Sequence, residues 1–272
     1  MALYPFYHSW KRKTSQAKKF DKPRLSSYNE KKEADSMDKL KNIKGVFLDL
    51  GGTLLFPPSG NWMFSDFARK YFPEEKMNAV PKEQLDKILY DANAELEKNH
   101  LLHSFEEEAR KFTAYYTQVA GALPQLQVTE ENIQEIVKDK MYNKPGNYRL
   151  FDDTIQTLKA LHGRYRLGII SDTWPSIVPM LEESGILDYM DCVTYSFNLG
   201  VFKPNPRMYQ DALDKMGLPP EQTVFVDDLP KNLEGARAQG IHPVLIRAIP
   251  ASEPREDMYN IDTISGLLDI LE

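Results

Sequence analysis

Gly45-Val46-Phe47-Leu48-Asp49-Leu50-Gly51-Gly52-Thr53-Leu54-Leu55 is the stretch on which the reading of this chain turns. A short apolar run ends at a carboxylate, and two glycines and a threonine follow at once. That is the pattern of a buried parallel strand running into a tight loop. The loop lies at the carboxyl end of the strand, the edge at which open α/β sheets bind ligands, so Asp49 is a candidate nucleophile or metal ligand. An Asp ahead of a Gly-Gly bend can equally do no more than cap a turn.

The same pattern recurs downstream. Asp152 or Asp153 can cap a helix carrying Ile155, Leu158 and Leu161, and Leu167-Gly168-Ile169-Ile170 is a strand that stops at Ser171-Asp172-Thr173. A helix from about Pro175 to Glu183 follows, then a short strand at Val193 to Tyr195 and the loop Phe197 to Pro206, which contains Lys203. Thr223 to Val226 is a strand ending in the doublet Asp227-Asp228, and Pro243 to Ile246 is the last. Five apolar strands separated by helices predict an α/β fold with a doubly wound parallel five-stranded sheet.

Between residues 57 and 147 the strand pattern disappears. Trp62, Phe64, Phe67 and Tyr71 predict a helix over Asn61 to Phe72, and Leu85, Ile88, Leu89, Ala92 and Leu96 predict another. Ser104 with Glu107 is a capping box for a helix through Phe112 and Val119, and Thr129 to Tyr142 supplies one more, stopped by Pro145-Gly146. The segment is expected to be an all-helical module inserted into the α/β domain, with hinges near Phe56-Pro57-Pro58 and Asn143 to Gly146. The expected division is therefore core at 43–56 and 148–272, helical insertion at 57–147, and a disordered extension at 1–42. That extension interleaves Lys11, Arg12, Lys13, Lys18, Lys19, Lys22 and Arg24 with polar residues and has no apolar period to bury; Met37, just ahead of the approach to the first strand, is a candidate for the start of translation.

Composition narrows the partners. At 272 residues, a net charge of −6 and 42% hydrophobic content, the chain is globular and carries no basic field for nucleic acid. No apolar run approaches the roughly 18 residues of a membrane span. The single Cys192 cannot make an internal disulfide or a Cys-rich zinc site, which fits the reducing cytoplasm. Oligomeric state leaves no signature in the sequence.

A parallel sheet brings the strand ends Asp49, Ser171 and Asp227-Asp228 to one edge, together with the loop that carries Lys203. The order Asp49-Leu50-Gly51-Gly52-Thr53, Ile170-Ser171-Asp172, Phe202-Lys203-Pro204 and Phe225-Val226-Asp227-Asp228 resembles the four motifs of the haloacid dehalogenase superfamily, mostly phosphoryl-transfer hydrolases. The resemblance covers nearly everything from Gly45 onward. It implies a Rossmann-like core whose helical insertion is a cap of the first type that closes over the site and selects the substrate.

It also implies roles. Asp49 would be the nucleophile, forming an aspartyl-phosphate, with Lys203 neutralising the phosphoryl charge and holding Asp49 ionised. Ser171 and Asp172, the latter through its backbone N–H, would bind the phosphoryl group beside Lys203. Mg²⁺ would be held by Asp49, the carbonyl of Gly51 and Asp228, with Asp227 in an outer position. Thr53 would order the loop.

The family's usual general acid and base is Gly51 here, and Asn232 stands where many relatives carry another acid. A glycine keeps the metal-binding carbonyl but removes a proton donor, an effect typically worth about 10² to 10⁴ in rate. Leaving groups needing little protonation, such as an anomeric oxygen, an acyl group or a phenol, would suit such a site. The principal expectation is thus a Mg²⁺-dependent phosphatase of a small phosphorylated metabolite. The alternatives are a catalytically weak phosphate-binding or regulatory protein, and a dehalogenase-type hydrolase in which Asp49 attacks carbon. Trp62, Phe64 and Trp174 are candidate walls of the substrate pocket.

Overall fold

The computed structural model describes residues 39–249 and 253–272. In chain order its strands are β1 (Gly45–Leu48), β2 (Leu55–Phe56), β3 (Arg149–Leu150), β4 (Arg166–Ser171), β5 (Cys192–Tyr195), β6 (Thr223–Asp227), β7 (His242–Ile246) and β8 (Tyr259–Ile261). The main sheet runs β5-β4-β1-β6-β7-β8. Every neighbouring pair in it is parallel. Gly45–Leu48 therefore forms one of the central strands, paired with β4 on one side and β6 on the other.

Burial explains why these short runs are strands. All four residues of β1 are buried, and side chains alternate between the two faces of the sheet. Val46 and Leu48 pack with Ile169, Val224 and Val244 on one face. Phe47 packs with Ile170, Met208, Tyr209 and Phe225 on the other. Helices cover both faces, so the strands read as continuous apolar runs rather than alternating ones. Burying each such side chain stabilises the fold by about 1.5–3 kcal/mol.

The sheet has six strands where five were expected. The sixth, β8, is an edge strand of three residues in which only Ile261 is buried, too little apolar pattern to stand out. Residues 1–38 of the expected extension lie outside the described residues. Its last part does not behave as a tail, because Leu40 is buried and forms a parallel bridge with Leu271.

Residues between β2 and β3 are mainly helical from Glu74 onward and build a separate apolar cluster around Phe64, Phe72, Met77, Leu85, Phe112 and Tyr116. β2 and β3 pair antiparallel where the chain leaves and re-enters the sheet layer. The helices Lys82–Glu97, Phe105–Ala122 and Glu130–Tyr142 follow the apolar spacing read from the sequence. Ser104 accepts from Glu107 N at 3.2 Å, while the Glu107 carboxylate reaches the backbone N–H of His103 rather than that of Ser104. The full capping box belongs instead to Thr129 and Asn132.

Asn61 to Phe72 is not a helix but a series of turns with one 3₁₀ turn at Ala68–Lys70. Asn61 Oδ1 accepts from both Met63 N and Phe64 N at 2.9 Å, an arrangement that competes with helical pairing. Phe64 and Phe72 are buried by tertiary packing, with Phe64 edge-on to Phe72 and Tyr116, while Trp62, Phe67 and Tyr71 are half-buried. Asp153 does not cap its helix; its carboxylate accepts from Ser265 N at 3.0 Å.

One buried polar cluster ties this unit to the sheet layer. Glu108 accepts from Ser176 N at 2.7 Å and from Ser176 Oγ at 2.5 Å, and Lys144 Nζ donates to the same hydroxyl at 2.7 Å. Burial pushes Lys140 and Lys144 down to about 8, with the charge of Glu108 opposing it. Among the described residues no helix is long and apolar enough to cross a membrane.

Candidate active site

The carboxyl edge of the sheet gathers side chains from three neighbouring strands. β1 delivers Asp49, whose N–H donates to Val226 O at 3.0 Å and so fixes it beside the end of β6. β6 delivers Asp227 and, one residue on, Asp228; β4 delivers Ser171, which is buried. Ligand oxygens of Asp49, Asp227 and Asp228 all lie within 4.8 Å of one another.

Lys203 comes from the loop after β5 and is 1% exposed. Its Nζ lies 2.8 Å from Asp49 Oδ1, donates to Asp227 Oδ2 at 2.7 Å and to Ile170 O at 3.1 Å. Burial works to lower its pKa, but Asp227, Asp49 and Asp172 outweigh it and hold it well above the ordinary lysine value. The ammonium stays charged. Asp172 supports it from the backbone side, accepting from Lys203 N at 2.9 Å.

The carboxylates pay the opposite cost of burial. Burial pushes Asp49 up to about 6 against the pull of Lys203, with Asp227 raising it further. Burial likewise raises Asp172 to about 7, opposed by Lys203. Asp228 is held well above the carboxylate range by burial and then by Asp227 and Asp49. Carboxylates this close repel one another, and an additional cation among them would lower every one of these values.

The donors fit Mg²⁺. Asp49 Oδ1 is buried and, apart from its ion pair with Lys203, has no hydrogen-bond partner among the described residues. Asp227 is differently placed. Its Oδ1 accepts from Leu229 N at 2.8 Å and Asn232 Nδ2 at 3.1 Å, and its Oδ2 from Lys203 and from Asn232 Nδ2 at 3.0 Å. With both oxygens occupied by protein donors, Asp227 is a holder of Lys203. The carboxylate oxygens clustered here are hard donors of the kind Mg²⁺ takes.

The loop after β1 is shaped around Asp228. Gly52 has φ +76°, and a Cβ there would lie 2.5 Å from Asp228 Oδ2. Only glycine meets both demands. Thr53 is fully buried, yet its hydroxyl has no hydrogen-bond partner among the described residues, so it does not order the loop by a side-chain bond.

Residues 43–240 match the description haloacid dehalogenase-like hydrolase. The chain belongs to that family. It is 28% identical over 248 residues to a phosphoglycolate phosphatase of Salmonella typhimurium, covering 86% of this chain and 95% of the relative. It is 28% identical over 251 residues to a glyceraldehyde 3-phosphate phosphatase of Methanothermobacter thermautotrophicus, covering 84% and 100%. Among solved structures, an L-2-haloacid dehalogenase of Xanthobacter autotrophicus superposes with a TM-score of 0.56 at 16% identity, over 83% of this chain and 96% of that one. A phosphatase of the same superfamily from Thermococcus onnurineus gives 0.51 at 22%, over 84% and 97%. These structural likenesses show the fold.

For a haloacid dehalogenase-like hydrolase the site has features the motifs did not announce. His100, 1% exposed, brings Nε2 to 3.1 Å from Thr173 O and 2.9 Å from Ser196 Oγ, joining the helical unit to the loop after β4. Burial pushes it down to about 4. No local pattern marks a contact that spans 73 residues. Glu108 did carry a signal, since it falls on the apolar stripe of its helix with Phe105, Ala109 and Phe112. Of the candidate wall residues, Phe64 lies in the core of the helical unit, Trp174 packs on Phe112 and His100, and Trp62 meets Gly51.

Proposed function

We propose that this protein is a Mg²⁺-dependent phosphatase of a small phosphorylated metabolite, acting through an aspartyl-phosphate on Asp49. The observation that carries the reading is the constellation of buried Asp49, Lys203 and Asp227 with half-buried Asp228, in which Asp49 and Lys203 lie 2.8 Å apart. Relatives named as phosphoglycolate and glyceraldehyde 3-phosphate phosphatases support the substrate class. The three-carboxylate cluster favours this reading over a dehalogenase, which needs no metal.

Asp49, the Gly51 carbonyl and Asp228 would hold Mg²⁺, which would supply positive charge against the phosphoryl oxygens and keep Asp49 ionised. Asp49 attacks phosphorus, and Lys203 neutralises charge that builds on the phosphoryl group. Ser171 and the Asp172 N–H bind phosphoryl oxygens. Asp227, bonded by Asn232 and Leu229 N, fixes the Lys203 ammonium in place. The helical unit at residues 57–147 acts as the cap, and its closure excludes water from the site. The single cysteine fits a cytoplasmic setting.

The test is phosphate release from p-nitrophenyl phosphate and a panel of phosphometabolites, with Mg²⁺ or chelator, for the wild type and Asp49→Asn. Turnover that needs the metal and disappears in the variant is the expected result. Phosphate binding without any turnover would instead support a binding or regulatory protein.

A further inference from the structure

Gly51 removes a proton donor, and the structure has something in its place. A Cβ at position 51 would lie 3.1 Å from both Cζ2 and Cη2 of Trp62, so the edge of the indole already occupies the space into which a side chain would project. Gly51 has no left-handed backbone, so the conformation alone does not demand glycine. The indole crowds the position instead, and any side chain there needs the ring to give way by a few tenths of an ångström.

Trp62 is held there. Its carbonyl accepts from the buried Lys140 Nζ at 2.9 Å, and its ring meets that of Tyr148 at 6.0 Å. The following turn is fixed by Asn61 Oδ1, and Tyr116 donates its hydroxyl to Met63 O. Lys140 in turn sits over the Phe112 ring at 4.6 Å. The helical unit thus holds the Trp62 backbone while the indole packs, with Tyr148, against the apolar cluster of the sheet, setting an apolar group beside the nucleophile loop.

We propose that Trp62 stands in the place of the absent acid side chain and is the residue that sets leaving-group preference. The site then takes phosphoryl compounds whose oxygen departs as a stabilised anion, on an anomeric, acyl or aryl carbon. This rests on the phosphatase reading above. An Asp49 oxygen bonds to phosphorus as the ester P–O bond breaks, and the electron pair leaves on the ester oxygen, which takes its proton from solvent after departure. One water then cleaves the aspartyl-phosphate, giving inorganic phosphate and free Asp49. Position 51 donates no proton in the first step. An alkoxide, a poorer leaving group, is disfavoured for that reason.

The experiment is a double-mutant cycle of wild type, Gly51→Asp, Trp62→Ala and the double variant, each read in two ways. The first reading is kcat/KM with p-nitrophenyl phosphate against a simple alkyl phosphate. The second is Tm. The wild type is expected to prefer the aryl ester strongly, and Gly51→Asp alone to leave that preference in place. The double variant is expected to raise the alkyl-to-aryl ratio by about 10²-fold or more. Gly51→Asp should lower Tm by several degrees in the wild type and by little in the Trp62→Ala background. Equal Tm losses in both backgrounds, or a ratio raised as far by Gly51→Asp alone as by the double variant, overturns the role of Trp62. If no form releases phosphate from either ester, the phosphatase reading falls and takes the leaving-group preference with it, while the Tm cycle still reports whether Trp62 holds the space at position 51.

Discussion

Lys203 Nζ donates to Asp227 Oδ2 at 2.7 Å, and neither side chain is more than 1% exposed. A pair this deeply buried is costly to break, because removing one partner leaves the other charge without water or counter-ion. The pair therefore couples the stability of the sheet edge to the placement of the cation beside Asp49.

Lys203→Met should cost about 3–5 kcal/mol in urea unfolding as well as abolish phosphate release. A variant that loses activity at wild-type stability would mean that Lys203 is not the counter-ion holding these carboxylates together.

Mg²⁺ should stabilise the folded chain whether or not a substrate is found, since the folded state gathers the carboxylates and the unfolded chain separates them. At a hundred times the dissociation constant the gain is about 2.7 kcal/mol. Thermal unfolding with and without Mg²⁺ reads this directly, and Asp228→Asn should remove most of the shift while Asn232→Ala removes less.

Gly52→Ala should be damaging beyond its size. The backbone at φ +76° costs a side chain about 1–2 kcal/mol, and the new methyl also displaces Asp228, whose oxygen lies 2.5 Å away. Unfolding should register the first effect and loss of the Mg²⁺-induced shift the second.

Acid stability should carry the signature of His100. Its pKa is lowered from 6.5 in the unfolded chain to about 4 in the fold, first by burial. Between those values the unfolded state binds the extra proton, so stability rises with pH through the window and is fully present above 6.5. The loss on going from pH 7 to pH 4 is about 3 kcal/mol from this residue. Urea midpoints across that range should flatten in His100→Asn relative to the wild type by that amount; parallel curves would show that the histidine does not titrate this way.

Much of the fold was legible because parallel strands buried on both faces must be apolar throughout. Val46-Phe47-Leu48, Leu167 to Ile170 and Val224 to Val226 each announced a strand, and each ended in a residue that could do chemistry. β8 escaped because a three-residue edge strand needs little apolar surface. The turns at Asn61 to Phe72 escaped because buried aromatic residues look alike whether a helix or a tertiary cluster buries them.

The sequence by itself determined five of the six strands of the main sheet, the helical insertion and the residue types at the strand ends, since these follow from local periodicity and chain order. Only the tertiary structure decided that both oxygens of Asp227 are committed to Lys203, Asn232 and Leu229, that Gly52 gives room to Asp228, and that Trp62 fills the space beside Gly51. Those relations join residues distant along the chain or depend on angles at single atoms, and neither periodicity nor composition encodes a direction in space.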